Sequence, residues 1–413
     1  MKPFIPSQRT IMTPGPVEAD PRVLRALSYP IVGQFDPEFT NLMNETMKGT
    51  RKLFQSNNHW AYPIDGTSRA GLEAVLSSVI EPGDELLIPI FGRFGYLLTE
   101  IAERCGGVVH NIECPWGQVF DPGDVIQAVE RVQPTIVAMV HGETSTGCMQ
   151  PLADIGQFCR KNGQLFIVDA VATIGGVDIP TDDWCIDAII GGTQKCISGP
   201  SGMAPICYNE RVEEKINTRK QVEKGIRDAG QDEDDHDRRI QSNYFDLTQL
   251  QDYWSPRRLN HHTEATSMLY ALYESLRVIQ EEGLQNRVYR HQLNEKALVA
   301  GLKAMGVSIY NDFAHKLPVV TCIEVPDHVE ENSVRQMMLD EFGVEIASSF
   351  GPLKGKIWRI GTMGYSCRKE NIYHVLFAFE AALVAHGVDI AHGEAVQAAR
   401  EVFTTEQAEA AGV

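Results

Sequence analysis

The chain has 413 residues, of which 43% are hydrophobic and 22% charged, and a formal net charge of −18. That length exceeds one ordinary core and implies two or three domains, with the composition of a soluble globular protein. So strong a negative charge argues against a nucleic-acid groove or an anionic membrane surface as partner, and leaves phosphate or carboxylate recognition to a few placed groups.

From about Gly66 to Tyr208, short β-type runs alternate with longer amphipathic ones, the pattern of a parallel sheet with crossover helices. Strands are predicted at 84–90 (DELLIPI), 108–114 (VVHNIEC), 135–141 (TIVAMVH), 164–170 (QLFIVDA), 187–192 (DAIIGG) and 203–209 (MAPICYN). Helical patterns between them include GYLLTEIAERCG, GDVIQAVERVQ and PLADIGQFCRKNG, the last closed by a glycine. Near Arg219 the alternation stops. The polar stretch 224–246 holds an acidic run, 228–237, that lacks the glycine and terminal glutamate of a calcium loop and is expected to be a solvated excursion.

Residues 267–306 carry a long helical pattern with a weak point at Gly283. Strands at 307–311 (VSIYN), 319–326 (VVTCIEVP), 344–349 (VEIASS) and 356–364 (KIWRIGTMG), with helices at 331–343 and 371–387, predict a smaller α+β domain. The Ala- and Glu-rich tail after His392 is expected to be a frayed helix. The expected fold class is α/β: an N-terminal segment 1–20, a large domain 21–275 with a mostly parallel sheet flanked by helices, a small C-terminal α+β domain 276–390, and a tail 391–413.

Nine cysteines are scattered without a C-x-x-C pair, which suits reduced thiols better than a disulfide frame or a zinc site. The N-terminus lacks an apolar signal core, and no stretch approaches the roughly 18 apolar residues of a membrane span. A cytoplasmic protein is expected, with no metal site.

Four polar clusters fall at predicted strand ends, where open α/β sheets bind ligands. Lys195 sits in GGTQKCISGPSG (191–202), among small and hydroxyl-bearing residues. Desolvated there, its amine would be held neutral and could form a Schiff base; a surface lysine is the plain alternative. Asp169 closes the apolar run Leu165–Val168. An amine and a carboxylate so placed suit a cofactor with an aldehyde and a protonated ring nitrogen, needs that pyridoxal 5'-phosphate combines. Gly66, Thr67 and Ser68 would offer N–H groups and hydroxyls to a phosphate at a helix N-terminus, or merely cap it. In HGETSTG (141–147), Thr144, Ser145 and Thr146 are hydroxyl donors for a ring substituent, or turn formers.

Together with TPGP (13–16), VDAVATIGG around Asp169, TQK with Lys195, RRLNHHT (257–263) and WRIGTMG with Arg359, these motifs resemble class-V aminotransferases of fold type I, of the alanine-glyoxylate type. The resemblance runs from about Thr13 to about Gly387. It implies that Lys195 carries pyridoxal phosphate and shuttles the substrate proton, and that Asp169 pairs with the ring nitrogen. It further implies that Thr144 bonds the phenolic oxygen, Val171 packs on the ring, and Thr67, Ser68 and Gln194 hold the phosphate. His262 and Thr263 would reach the phosphate from a neighbouring subunit, making a homodimer with shared active sites, and Arg359 would bind the substrate carboxylate.

This chain departs from the alanine-type pattern at four places. Phe91, in PIFGRFG, is taken as the stacking ring in place of tryptophan, and Arg69 replaces histidine, facing phosphate or substrate. Gln34 and Asn260 replace the usual histidine and tyrosine. Two amides complement a ureido group, and the pair resembles that of the (S)-ureidoglycine-glyoxylate aminotransferases of purine catabolism. That resemblance implies amino transfer from ureidoglycine to glyoxylate, giving oxalurate and glycine. Alanine- or serine-glyoxylate transfer is the nearest rival; a cysteine desulfurase would need Cys367 or Cys322 as a mobile nucleophile.

Overall fold

The computed structural model describes residues 1–227, 239–310 and 314–411. The acidic run at 228–237 lies outside the described residues. Among the described residues, no helix is long and apolar enough to cross a membrane.

A seven-stranded sheet forms the large body, in the order Trp60–Gly66, Gly202–Tyr208, Ala188–Ile190, Leu165–Asp169, Ile136–Val140, Glu85–Ile90, Val108–Glu113. The last five are mutually parallel, and Gly202–Tyr208 is antiparallel to both of its neighbours. The expected α/β fold with a mostly parallel sheet is therefore present. Strands Ile136–Val140 and Leu165–Asp169 are buried at every position, as continuous apolar runs covered by helices on both faces must be. Six strands thus end along one edge of the sheet.

Trp60–Gly66 was not among the predicted strands, because its central Pro63 argues against a ladder. It lies at the sheet edge, where a missing N–H is tolerated, with Pro63 opposite Pro205. Ahead of it, helix Pro37–Leu53 starts on Asp36, whose side chain accepts from the Glu38 N–H, with proline in the first turn. Helices Thr266–Glu282 and Leu284–Met305 meet at Gly283, whose φ of +83° only glycine adopts without strain.

A second hydrophobic cluster gathers around the antiparallel strands Val320–Glu324, Ile357–Gly361 and Ala347–Ser348 and the helices Glu331–Phe342 and Lys369–Ala385. The predicted strand 344–349 is split: Val344–Glu345 pairs with Thr10–Ile11, and only Ala347–Ser348 joins this sheet. Of the predicted strand 307–311, an isolated bridge from Ile309 to Ile323 forms among the described residues. The N-terminal segment is thereby sewn to the C-terminal body, with Met12 inside the second cluster.

The tail is the expected helix, but it is packed rather than frayed. Glu394–Ala411 is a helix whose Ala395, Ala399 and Phe403 are buried in the same cluster. Small residues make that possible. A Cβ at Gly301, on the helix it packs against, would come 2.7 Å from the Ala395 carbonyl oxygen, so the two backbones approach through the absence of side chains.

Candidate active site

Three strand ends converge on a cavity of about 320 Å³. Lys195 follows the strand Ala188–Ile190, and its Nζ donates to the Pro14 carbonyl oxygen, on the TPGP segment that crosses the cavity. Burial, and then the positive charge of Arg359, lower its pKa to about 8. Asp169, the last residue of its strand, is buried and accepts from the Val171 N–H at 2.9 Å. Burial pushes its carboxyl up to about 6; the Val171 N–H opposes that shift, and nearby Glu143 adds to it. An amine and a carboxylate thus face one enclosed space, both poised to change charge there.

Thr67 and Ser68 open the helix Ser68–Val79. Thr67 occupies the N-cap position without capping through its side chain, which leaves its hydroxyl free for the cavity it lines. Ser68 Oγ accepts from Gln194 Nε2 at 2.7 Å and donates to its Oε1 at 3.0 Å, tying the two sides of a polar cradle together. Arg69 is exposed and lines the same cavity, adding the cation that an anionic group would seek. Thr144 and Val171 line it too.

Arg359 comes from the strand Ile357–Gly361 of the C-terminal body. Its Nε donates to the Ser348 carbonyl at 2.7 Å and its Nη1 to the Thr144 carbonyl at 2.9 Å, while Phe350 packs 4.7 Å beneath the guanidinium. Burial lowers its pKa to about 10, so it stays cationic at neutral pH. Two backbone carbonyls orient it.

Six predicted residues do not line the cavity: Arg359, Phe91, His262, Thr263, Gln34 and Asn260. Phe91 is 1% exposed and belongs to the large core; Phe94, on the first turn of helix Arg93–Arg104, lines the cavity instead. His262 turns inward: Nδ1 meets His261 Nδ1 at 2.8 Å, and Nε2 lies 3.3 Å from Asp65. Within its own chain the His262 ring thus faces His261 and Asp65; Thr263 beside it is exposed. Gln34 and Asn260 meet each other, Gln34 Nε2 donating to Asn260 Oδ1 at 3.3 Å, while Gln34 Oε1 is buried without a partner. None of Gln34, Asn260 and Thr263 lines the cavity of its own chain.

The family model described as "Aminotransferase class-V" matches residues 30–356. The chain belongs to the class-V aminotransferases. It is 64% identical, over 96% of its length and 95% of the relative, to the (S)-ureidoglycine--glyoxylate transaminase of Bacillus subtilis. An alanine--glyoxylate aminotransferase of Drosophila melanogaster is 32% identical over 92% of this chain and 93% of that protein. Among solved structures, the ureidoglycine-glyoxylate aminotransferase from Bacillus subtilis superposes with a TM-score of 0.92 at 62% identity, covering 98% of this chain and all of that one.

Class-V aminotransferases work with pyridoxal phosphate, and in this aminotransferase two further residues shape the site. Glu143 is wholly buried at the strand end before Thr144, accepting from the Phe94 N–H at 2.8 Å, the Ser145 N–H at 3.0 Å and Ser145 Oγ at 2.6 Å. It fixes the turn that aims Phe94 and Thr144; its place inside HGETSTG was the available signal. Gly15 packs on the Lys195 side chain, where any Cβ would come 2.5 Å from Nζ. Cys367 and Cys322 are both buried, and burial pushes each thiol up to about 12, the reverse of what a mobile desulfurase nucleophile needs.

Proposed function

We propose that this chain transfers the amino group of (S)-ureidoglycine to glyoxylate, giving oxalurate and glycine in purine catabolism, with pyridoxal phosphate as cofactor and as a cytoplasmic homodimer. The observation that carries the substrate is the Gln34–Asn260 amide pair with its orphaned Gln34 Oε1. An unpaired buried acceptor costs about 1–3 kcal/mol, and a ureido N–H relieves it where an alanine methyl does not. The likeness to the Bacillus subtilis transaminase supports the same substrate.

The residues present fit the cofactor. Gly192 lacks a side chain where a Cβ would strike Ser68 Oγ and come 3.0 Å from Val171, keeping the cavity open between cradle and carboxylate. The volume is within the range of small-molecule sites. Thr67, Ser68, Gln194 and Arg69 would hold the phosphate, Val171 and Phe94 the ring faces, and Thr144 the phenolic oxygen. Bound there, pyridoxal phosphate supplies an electron sink for the bond broken at the substrate Cα. Asp169 would pair with the ring nitrogen and keep it protonated. Lys195, its amine partly neutral near pH 8, would take the substrate Cα proton and return it. Arg359 binds the substrate carboxylate, a task its planar fork suits.

The homodimer follows from what each cavity lacks. Gln34, Asn260 and Thr263 lie outside their own chain's cavity, and beside Gln34 the side chains of Tyr29, Ile31 and Phe35 are 56%, 66% and 86% exposed. A partner covering that apolar surface would receive the amide pair and Thr263 in its own site. Rapid mixing of the cofactor-loaded enzyme with freshly generated ureidoglycine, L-alanine and L-serine tests the substrate. Ureidoglycine should bleach the cofactor band at least about 100-fold faster than alanine; fast alanine turnover without ureidoglycine turnover would assign the enzyme to alanine-glyoxylate transfer.

A further inference from the structure

Behind the loop that carries Asn260 and Thr263, Asp65, His262 and Glu264 bring three candidate ligand atoms within 4.8 Å of one another. Their side chains are 10%, 11% and 1% exposed. Asp65 stands near the end of the strand Trp60–Gly66, and its Oδ2 accepts from the Ala265 N–H at 3.0 Å. Backbone on both sides therefore fixes the cluster.

Hydrogen-bond geometry shows what the cluster lacks. His262 Nδ1 meets His261 Nδ1 at 2.8 Å, while His262 Nε2 lies 3.3 Å from Asp65 Oδ2 and 3.6 Å from Glu264 Oε2 and is in hydrogen-bond geometry with neither. Both Glu264 carboxylate oxygens likewise lack a hydrogen-bond partner. Two carboxylates and an imidazole nitrogen thus converge in a buried space, an arrangement that calls for a positive species among them.

We propose that Asp65, His262 and Glu264 bind one divalent cation of the zinc class. Tetrahedral sites with ligand bonds of about 2.0–2.1 Å separate neighbouring ligand atoms by roughly 3.3–3.4 Å. The two nitrogen–oxygen separations here, 3.3 and 3.6 Å, are close to that spacing, and all three ligand atoms lie within 4.8 Å of one another. Imidazole with carboxylates suits zinc, cobalt, nickel or manganese, and two carboxylates neutralise the ion's charge. His261, against the other ring nitrogen of His262, is the outer partner. The Tyr253 ring packs beside the cluster, its centroid 4.7 Å from that of His262. The ion pins the segment Asn260–Glu264 against the sheet end. The site stands on these residues whatever the amino donor proves to be.

The rival occupant is a single proton shared within the cluster, on a carboxyl or on the His262 ring. Chelator-treated, cofactor-loaded full-length protein is titrated with Co²⁺ and Zn²⁺, following heat, melting temperature and cobalt bands to the red of the cofactor. One equivalent per chain, tetrahedral cobalt bands and a melting temperature that rises until one equivalent is added are expected. Glu264→Gln should weaken binding more than about 100-fold, beyond the loss typical of an outer-shell change, and Asp65→Asn should do the same should the first variant fold poorly. His392→Gln, at the surface, should bind as the parent does. The absence of a saturable equivalent in the parent overturns the proposal in favour of the shared proton, and undiminished binding by both folded variants overturns it by placing the ion elsewhere.

Discussion

Arg359 Nη1 donates to the Thr144 carbonyl oxygen at 2.9 Å, a bond that spans 215 residues of chain and joins the C-terminal sheet to the cofactor loop. With Nε spent on Ser348, the guanidinium is locked in one orientation before any substrate arrives. Arg359→Lys keeps the charge and loses the fork. It should lower kcat/KM for amino donor and glyoxylate alike by about 10²- to 10³-fold, roughly 3–4 kcal/mol, chiefly through KM. Steady-state kinetics with both substrates checks this; an unchanged KM for glyoxylate would remove Arg359 from carboxylate binding.

Gly15 has φ of +109° and touches the lysine side chain, so Gly15→Ala combines backbone strain with a methyl group 2.5–2.7 Å from three Lys195 atoms. Cofactor affinity should fall at least about tenfold, since strain of this kind is of order 1–3 kcal/mol. Equilibrium dialysis against pyridoxal phosphate measures it.

In the cofactor-free chain, the Lys195 pKa of about 8 against an ordinary 10.5 sets two pH dependences. Attachment of the cofactor needs the free amine, so its rate should rise through about pH 8 and then level. Unfolding lets the lysine take up a proton anywhere between the two values, so this residue's contribution to stability grows as pH rises from about 8 to 10.5. Stopped-flow absorbance and denaturant titrations across that window check both; a rate still climbing at pH 10 would mean an unperturbed lysine.

Phe91 and Phe94 separate core from site. Phe91→Ala should cost about 3–5 kcal/mol of stability, the usual loss for a buried phenylalanine. Phe94→Ala should cost much less stability but weaken cofactor binding by about 2- to 10-fold, the worth of a stacked ring. Melting curves and cofactor titrations on both variants distinguish them.

The pair Gln34→His and Asn260→Tyr should together move preference from ureidoglycine toward alanine by at least about 100-fold in the ratio of kcat/KM. Unchanged preference in a folded, cofactor-loaded double variant would place specificity elsewhere.

What the sequence made legible follows from local physics. Lys195, Asp169 and Thr144 stood out because buried parallel strands are unbroken apolar runs, and the polar residues that close or follow each lie at the ligand edge. The Phe91–Phe94 choice was not legible in this way: the strand ends at Ile90 and the helix starts at Arg93, so the side-chain period changes from 2 to 3.6 between the two rings. The neighbours of His262 were not legible either, since Asp65, which its ring faces, is distant in sequence. The packing of the tail helix escaped because its buried face is built largely from alanines, whose close approach depends on Gly301 of another helix.

The most direct measurement is the fate of the amino nitrogen. Freshly generated ureidoglycine, ¹⁵N-labelled at the amino group, is incubated with glyoxylate and the cofactor-loaded enzyme, and products are followed by NMR and mass spectrometry. The proposed reaction predicts ¹⁵N-glycine and unlabelled oxalurate in equal amounts, at rates set by enzyme concentration. Unlabelled glycine pools, or label released as ammonia with no oxalurate formed, would contradict it.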